Sequence, residues 1–207
     1  KGYIGSIYCS PWGMKPAELT KLPGYRQPKD ADVAAAKKLM AEAGFPEGFK
    51  TTLVAASGGA HESIAVIARD QMAKIGIDVE LSLMDIASVN DRAGRRAYDL
   101  FSAGWTDTTG DPDETLFTYY LTGGSRNRGD FSDKETDALI DKQARTMDVK
   151  ARQAVLAEIE KKCLELVPAV ITFWDIWQIG AWKEVKGFAP GPGIHPWGKL
   201  DHVWLAK

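Results

Sequence analysis

The sequence has little cysteine. Cys9 and Cys163 are its only two thiols, and a pair so far apart excludes the closely spaced ligand patterns of zinc and iron–sulfur sites. Histidine is as sparse. His61, His195 and His202 form no cluster, so a nitrogen-liganded metal centre has no support. Charge of one sign is missing too, because 26 Lys and Arg against 28 Asp and Glu leave a net charge of −2. Without a basic field, neither nucleic acid nor an acidic membrane surface is an expected partner. No apolar run approaches the roughly 18 residues of a membrane span, so this segment is not expected to insert into a bilayer.

The motifs of common catalysts are also lacking. Ser57 lies in Ala55-Ala56-Ser57-Gly58-Gly59, without the glycine two positions earlier that a nucleophile elbow requires. There is no G-x-x-x-x-G-K-[ST] phosphate loop, and the glycines follow no dinucleotide fingerprint. An enzyme is therefore not expected, and no cofactor is implied.

What is present is a globular α/β pattern. At 207 residues and 44% hydrophobic, the chain can bury one sizeable core. Asp30 or Asp32 is placed to cap a helix whose apolar face runs Val33, Ala36, Met40, Ala43, with Gly44 as the left-handed stop. Phe49–Ala56 reads as a strand, Ser57–His61 as a glycine-rich loop, and Ile64, Ala68, Met72 and Ile75 as one face of a second helix that Gly76 ends. Ile77, Val79, Leu81 and Leu83 alternate with Asp78, Glu80, Ser82 and Met84, the period of a strand with one covered face. A short helix over 87–96 follows. Helices are expected over 133–146 and 148–167, the second with Leu156, Ile159, Cys163 and Leu166 on its buried face. Residues 123–131 read as a surface loop. A short β-rich run over 169–174 is placed to pair with 178–183, and Trp174, Trp177 and Trp182 are expected to pack in the core, with a cleft-edge role open for the first two. Alternating strands and helices predict an α/β lobe with mostly parallel neighbours.

The most informative stretch is Tyr98–Leu121. Tyr98–Gly104 has the composition of a buried strand closed by a turn, and Asp111, Pro112 and Glu114 form the start of a helix with cap, first-turn proline and capping-box acid. Between them, Trp105, Thr106, Asp107 and Thr108 project from the carboxyl end of a strand, where open α/β sheets bind ligands. A large ring beside convergent polar groups suits a small solute, while the plain alternative is an ordinary strand-to-helix connection. His61 and Gly59, in the glycine-rich loop, are the other candidates, with His61 either a solvent-exposed helix-start residue or a ligand contact. Asp107, Asp111 and Asp113 cluster in sequence but fit no EF-hand spacing, so no metal is expected. Ser10-Pro11-Trp12 is either a surface turn or a cleft edge.

The aromatic-Asp start, the Gly-Trp pair and the Asp-rich turn ending Asp111-Pro112-Asp113 resemble the peptide-binding members of the extracytoplasmic solute-binding proteins that serve ABC importers. The helix and exit over 32–49, the helix-strand pair over 71–80 and Lys183–Phe188 are similar to the same family, collinearly over most of the chain. The resemblance implies one lobe of a two-lobe Venus-flytrap fold, periplasmic or otherwise extracytoplasmic, from a protein about twice this length made with a signal peptide or lipoprotein anchor. It implies an arm over 1–29, a ligand-binding lobe over 30–187, and a tail over 188–207 that returns to an N-terminal lobe. The implied partners are a small solute such as a peptide or opine and ABC permease subunits. The alternative class is a stand-alone interaction or sensory lobe that binds a protein. Peptide binders of the family carry a carboxylate where this chain has Thr108, and dipeptide binders an arginine in the 57–61 loop, where this chain has none. Either Asp107 replaces the missing charge or the solute lacks a free amine. A disulfide between Cys9 and Cys163 stays open.

Overall fold

A computed structural model of the chain describes residues 2–3, 5–8, 12–105, 109–175, 178–189 and 200–206. In order these form β1 (Gly2–Tyr3), α1 (Pro16–Leu19), α2 (Asp30–Glu42), β2 (Phe49–Ala56), α3 (Gly59–Ala73), β3 (Ile77–Met84), α4 (Ile86–Gly94), β4 (Leu100–Phe101), α5 (Pro112–Thr115), α6 (Lys134–Ala144), α7 (Val149–Leu166), β5 (Trp174–Asp175), β6 (Val185–Lys186) and β7 (Trp204–Leu205). Leu116–Tyr120 continues α5 as a π-helical turn. The chain divides into two compact units, Ala17–Trp105, and Lys1–Pro16 with Thr106–Lys207. No described helix is long and apolar enough to cross a membrane.

In the first of these units a three-stranded sheet has the order β3-β2-β4, with both pairings parallel. β2 and β3 are in register over their whole length, from Phe49 opposite Ile77 to Ala56 opposite Met84. The strand period of two sends Leu53 and Ala55 to one face, where they pack with Ala65, Ala68 and Met72 of α3 and Met40 of α2. Val54 and Ala56 face the other way, against Val89 of α4, Tyr98 and Phe101. A central strand covered on both faces explains why Leu53-Val54-Ala55-Ala56 is a continuous apolar run, all of it buried. β3, at an edge, keeps the expected alternation only in part. Ile77 and Val79 are buried, but Leu83 is 40% exposed and Met84 turns to the α4 face.

Two helix starts differ from the sequence expectation. The residue at the cap of α2 is Lys29, without a side-chain hydrogen bond. Asp32 instead accepts from the Gly24 amide at 2.9 Å and pairs with Arg26. α4 begins earlier than expected because Asp85 caps it, accepting from the Ser88 amide at 3.0 Å. Asp133 and Asp148 cap α6 and α7 in the same way, as Ser/Thr/Asp/Asn residues do best.

The second unit is built on α6 and α7. Ile140, Leu156 and Ile159 are fully buried and Cys163 nearly so. Leu166, expected on the same face, is 48% exposed, since the helix ends at Val167 in a left-handed conformation. Asn127, buried, closes the loop after the π-turn by donating to the carbonyls of Leu121 and Phe131 and accepting from the Phe131 amide at 2.9 Å. The short strands pair β1 with β5 and β6 with β7, both antiparallel. The expected ribbon of 169–174 with 178–183 is not formed among the described residues. Residues 185–186 instead find their partner in 204–205. Trp182, expected in the core, is 83% exposed. Trp174 is half-buried, with its indole N–H donating to the Ser6 carbonyl at 2.8 Å, and Trp177 lies outside the described residues.

Candidate functional site

The strand order decides where a crevice can form. β2 lies between β3 and β4 and is parallel to both, so the residues that follow β2 and β4 emerge at the same carboxyl edge of the sheet. The carboxyl edge is where open parallel sheets bind ligands. Two hydrogen bonds fix the ends of the strands there, Ser57 N–H to the Met84 carbonyl and Ser102 N–H to the Val54 carbonyl, each 2.8 Å.

The loop after β2 is short because two glycines take left-handed conformations, Gly58 at φ +80° and Gly59 at φ +64°. α3 starts at Gly59, and Glu62 reaches back to accept from the Gly58 amide. His61 therefore sits in the first turn of α3. It is half-buried, with Nδ1 covered and without a hydrogen-bond partner. His61 is thus a helix-start residue with a partly enclosed ring. Across from it, a side chain at Gly104 would bring its Cβ to 3.5 Å from His61 Cε1. Trp105 follows, half-buried and with its indole nitrogen covered.

The structure thus brings Gly59, His61, Gly104 and Trp105 to the carboxyl edge of one sheet. Thr106, Asp107 and Thr108 lie outside the described residues, as do Ser10, Pro11, Cys9 and His195. The acids near the described loops are already engaged. Asp85 holds the Ser88 amide and hydroxyl, and these bonds keep its carboxyl below the usual range.

Beyond the 106–108 stretch, Asp111 caps α5 by accepting from the Asp113 amide at 3.0 Å. It also receives a two-pronged contact from Arg152 of α7, Nη1 to Oδ2 at 2.8 Å and Nη2 to Oδ1 at 2.6 Å. Arg152 reaches Asp113 at 3.2 Å and donates through Nε to the buried Gln143 at 2.9 Å. The Arg152 bond, ahead of the other contributions, lowers the Asp111 pKa. The Trp12 ring lies 5.0 Å from the guanidinium carbon, and its indole N–H donates to the Gly110 carbonyl at 3.0 Å. Trp12 is thus a half-buried brace. With Asp111 and Asp113 bound to a cation of the protein itself, they are poor calcium ligands. Among the described residues no group of three or more acidic, His or Cys side chains is placed to hold a metal. Arg152 escaped the sequence reading because it stands on a helix far along the chain, with no local pattern to mark its partner.

A model of the family described as bacterial extracellular solute-binding proteins, family 5 Middle, matches residues 12–127, more than half of the chain. The curated protein named "Probable D,D-dipeptide-binding periplasmic protein DdpA" of Escherichia coli K12 is 27% identical over 135 residues, 63% of this chain and 26% of its own length. The glutathione-binding protein GsiB of Salmonella choleraesuis is 26% identical over 171 residues, 74% of this chain and 32% of its own length. The chain therefore spans about a quarter to a third of the length of these relatives. Among solved structures, the ABC transporter-associated periplasmic binding protein DppA from Helicobacter pylori, in complex with the peptide STSA, covers all of this chain and 40% of its own. Its TM-score is 0.75 at 22% identity, a likeness of fold.

Proposed function

The chain belongs to the bacterial extracellular solute-binding proteins, family 5, and from that membership we propose that it supplies one ligand-binding lobe of the substrate-binding component of an ABC importer. In this reading the whole protein works outside the cytoplasm, captures a small peptide-like solute by hinge closure, and hands it to a membrane permease. It binds and releases without catalysing a reaction. The observation that carries the proposal is that the family match over 12–127 contains the whole three-stranded parallel sheet and both of its candidate loops.

The proposed contacts are Trp105 as an apolar platform, His61 and the Gly59 backbone opposite it, and the polar groups of Thr106, Asp107 and Thr108. The lobe spans 30–187 in this reading, with 1–29 an arm and 188–207 a tail to a further lobe. Dipeptide and glutathione, named for the relatives, define the solute class by its shared chemistry of amide and carboxylate groups on a short chain. Thr108 offers a hydroxyl without charge, which favours a solute whose amine is blocked or absent, opines included, unless Asp107 supplies the carboxylate.

The test is a thermal-shift panel on the full-length protein with glutathione, D-alanyl-D-alanine, L-dipeptides, their N-acetyl forms and an opine. A true solute at 100 times its Kd adds about 2.7 kcal/mol of apparent stability. Trp105→Ala should then weaken binding by roughly 1–3 kcal/mol, as loss of an aromatic hot spot does, with the unliganded melting temperature unchanged. A panel that gives no shift, or a Trp105→Ala protein with undiminished affinity, refutes the site.

A further inference from the structure

We propose that Glu160 is the latch of a strap: its one buried carboxylate ties Ser6 and Met14 to α7, so that residues 5–8 and 12–14 close over that helix, or leave it, together. The proposal stands apart from the function proposed above and involves no solute.

Glu160 lies in the interior of α7 and is fully buried, although a charged side chain stays buried only when its oxygens are taken up by donors. The Ser6 hydroxyl donates to Oε1, and the Met14 amide donates to Oε1 at 2.8 Å and to Oε2 at 2.9 Å. One side chain thus grips two separate points of the chain. Ser6 is held from its other side as well, since the Trp174 indole N–H donates to its carbonyl at 2.8 Å. The seat is close at both ends. A Cβ on Gly5 would overlap the Trp174 ring, and one on Gly13 would lie 2.7 Å from the Tyr8 carbonyl oxygen.

What the strap covers is one face of α7. Leu156, Glu160 and Cys163 stand at i, i+4 and i+7, and all three are buried. Ile7 and Tyr8 are buried with them, and the Tyr8 hydroxyl lies 3.5 Å from the Leu156 carbonyl oxygen. Burial first, then the nearby charges of Cys163 and Glu160, push the Tyr8 pKa up. Tyr8 therefore stands over the stretch that ends at the Cys163 thiol. Packing alone does not account for a carboxylate here, because an apolar side chain of similar volume fills such a space without desolvating a charge. Its use is as an acceptor. With a methionine at 160 the Met14 amide loses this partner, and it regains one from water only if the strap lifts.

The test uses full-length protein carrying Cys9→Ser. Glu160→Met removes both grips, Glu160→Gln keeps an acceptor for the Met14 amide without the charge, and Ile140→Val perturbs the core of the same unit away from the latch. Hydrogen exchange of the amides at 6–8 and 12–14 should be about tenfold faster in Glu160→Met, in both stretches alike, and intermediate in Glu160→Gln. Exchange within α6 should not move, and Ile140→Val should leave both stretches at the wild-type rate. Cys163, located by peptide mapping, should react with iodoacetamide in Glu160→Met at urea concentrations where far-ultraviolet circular dichroism is still native. If Glu160→Met does not fold, Glu160→Gln and Ser6→Ala carry the same measurements. Unchanged exchange, a rise in one stretch alone, or an equal rise in α6 or in Ile140→Val overturns the latch. A thiol that stays protected while both stretches exchange fast overturns the placement of Cys163 beneath the strap.

Discussion

Gly48 and Gly76 face each other where β2 and β3 begin, and their closeness can be tested by adding one carbon. Gly48 has φ +83°, and a Cβ there would lie 1.8 Å from the Gly76 carbonyl oxygen and 2.6 Å from its carbon. Gly44, at φ +89°, has nothing within 4 Å of the same position. Gly44→Ala and Gly48→Ala therefore share one cost and differ in another. Both force an L side chain into the left-handed region, at about 1–2 kcal/mol. Both gain about 0.4–1 kcal/mol from a stiffer unfolded chain. Gly44→Ala should thus cost roughly 1 kcal/mol. At Gly48 the obstacle is backbone, which has no rotamer to change, and it adjoins the first register pair, Phe49 with Ile77. Separating the two chains adds a penalty of the overpacking kind, about 1–3 kcal/mol, for a total near 2–4 kcal/mol. Urea unfolding followed by far-ultraviolet circular dichroism measures both. If the two variants fall within about 0.5 kcal/mol of each other, the close approach of the two glycines is wrong.

The Asp111 carboxyl is held below its ordinary value chiefly by the Arg152 hydrogen bond. A carboxyl whose folded pKa is depressed adds stability above its unfolded pKa of about 3.9, and that stability is lost as pH falls through the folded value. Asp111→Asn should accordingly show a shallower loss of stability between about pH 5 and pH 2 than wild type, measured by urea unfolding at several pH values; identical slopes would contradict the pairing. Burial pushes the Cys163 thiol up to about 12, and the side chain is 2% exposed. In a Cys9→Ser background, iodoacetamide at neutral pH should label Cys163 only in step with urea unfolding, and fast labelling of the native protein would show the site to be open.

The parts of this fold that could be read from the sequence are those where one physical demand dominates. β2 and β3 have the bounds their apolar patterns require, Phe49–Ala56 and Ile77–Met84, because parallel strands buried by helices admit little else at those positions. The cap at Asp111 was visible for the same reason, and the two helices read as starting at 133 and 148 are capped by Asp133 and Asp148: a helix start has orphan N–H groups that a short acid satisfies. Elsewhere two demands compete. Asp32 had the right type for a cap, but Arg26 and the Gly24 amide take its oxygens. Trp182 had the size of a core residue and is exposed, and β6 pairs with the distant β7, a register no local pattern specifies. The meeting of the two candidate loops depended on strand order. Alternating strands and helices are compatible with several orders, and the parallel pairing of β2 with both β3 and β4 is what brings the residues after β2 and β4 to one carboxyl edge.

Under the proposed function, the partners of the nearby acids bear on what kind of solute the loops would hold. A charged solute needs a charge that is still available, and the described acids nearest the candidate loops are committed elsewhere. Glu62 takes the Gly58 amide, Asp85 the Ser88 amide, Asp99 the Thr52 amide at 3.0 Å, and Asp111 the guanidinium of Arg152. Each such bond stabilises the fold and, for that reason, raises the cost of turning the carboxylate toward a ligand, since its backbone or guanidinium partner would lose its acceptor. What the described sheet edge offers instead is a half-buried indole at Trp105, a covered imidazole nitrogen at His61 without a hydrogen-bond partner, and glycine backbone at Gly59. Stacking and neutral hydrogen bonds are the contacts such groups make. Under the proposed function, amine recognition is therefore to be tested at Asp107, the acid of the Tyr98–Asp113 stretch that lies outside the described residues, since Asp99, Asp111 and Asp113 are each bound within the protein.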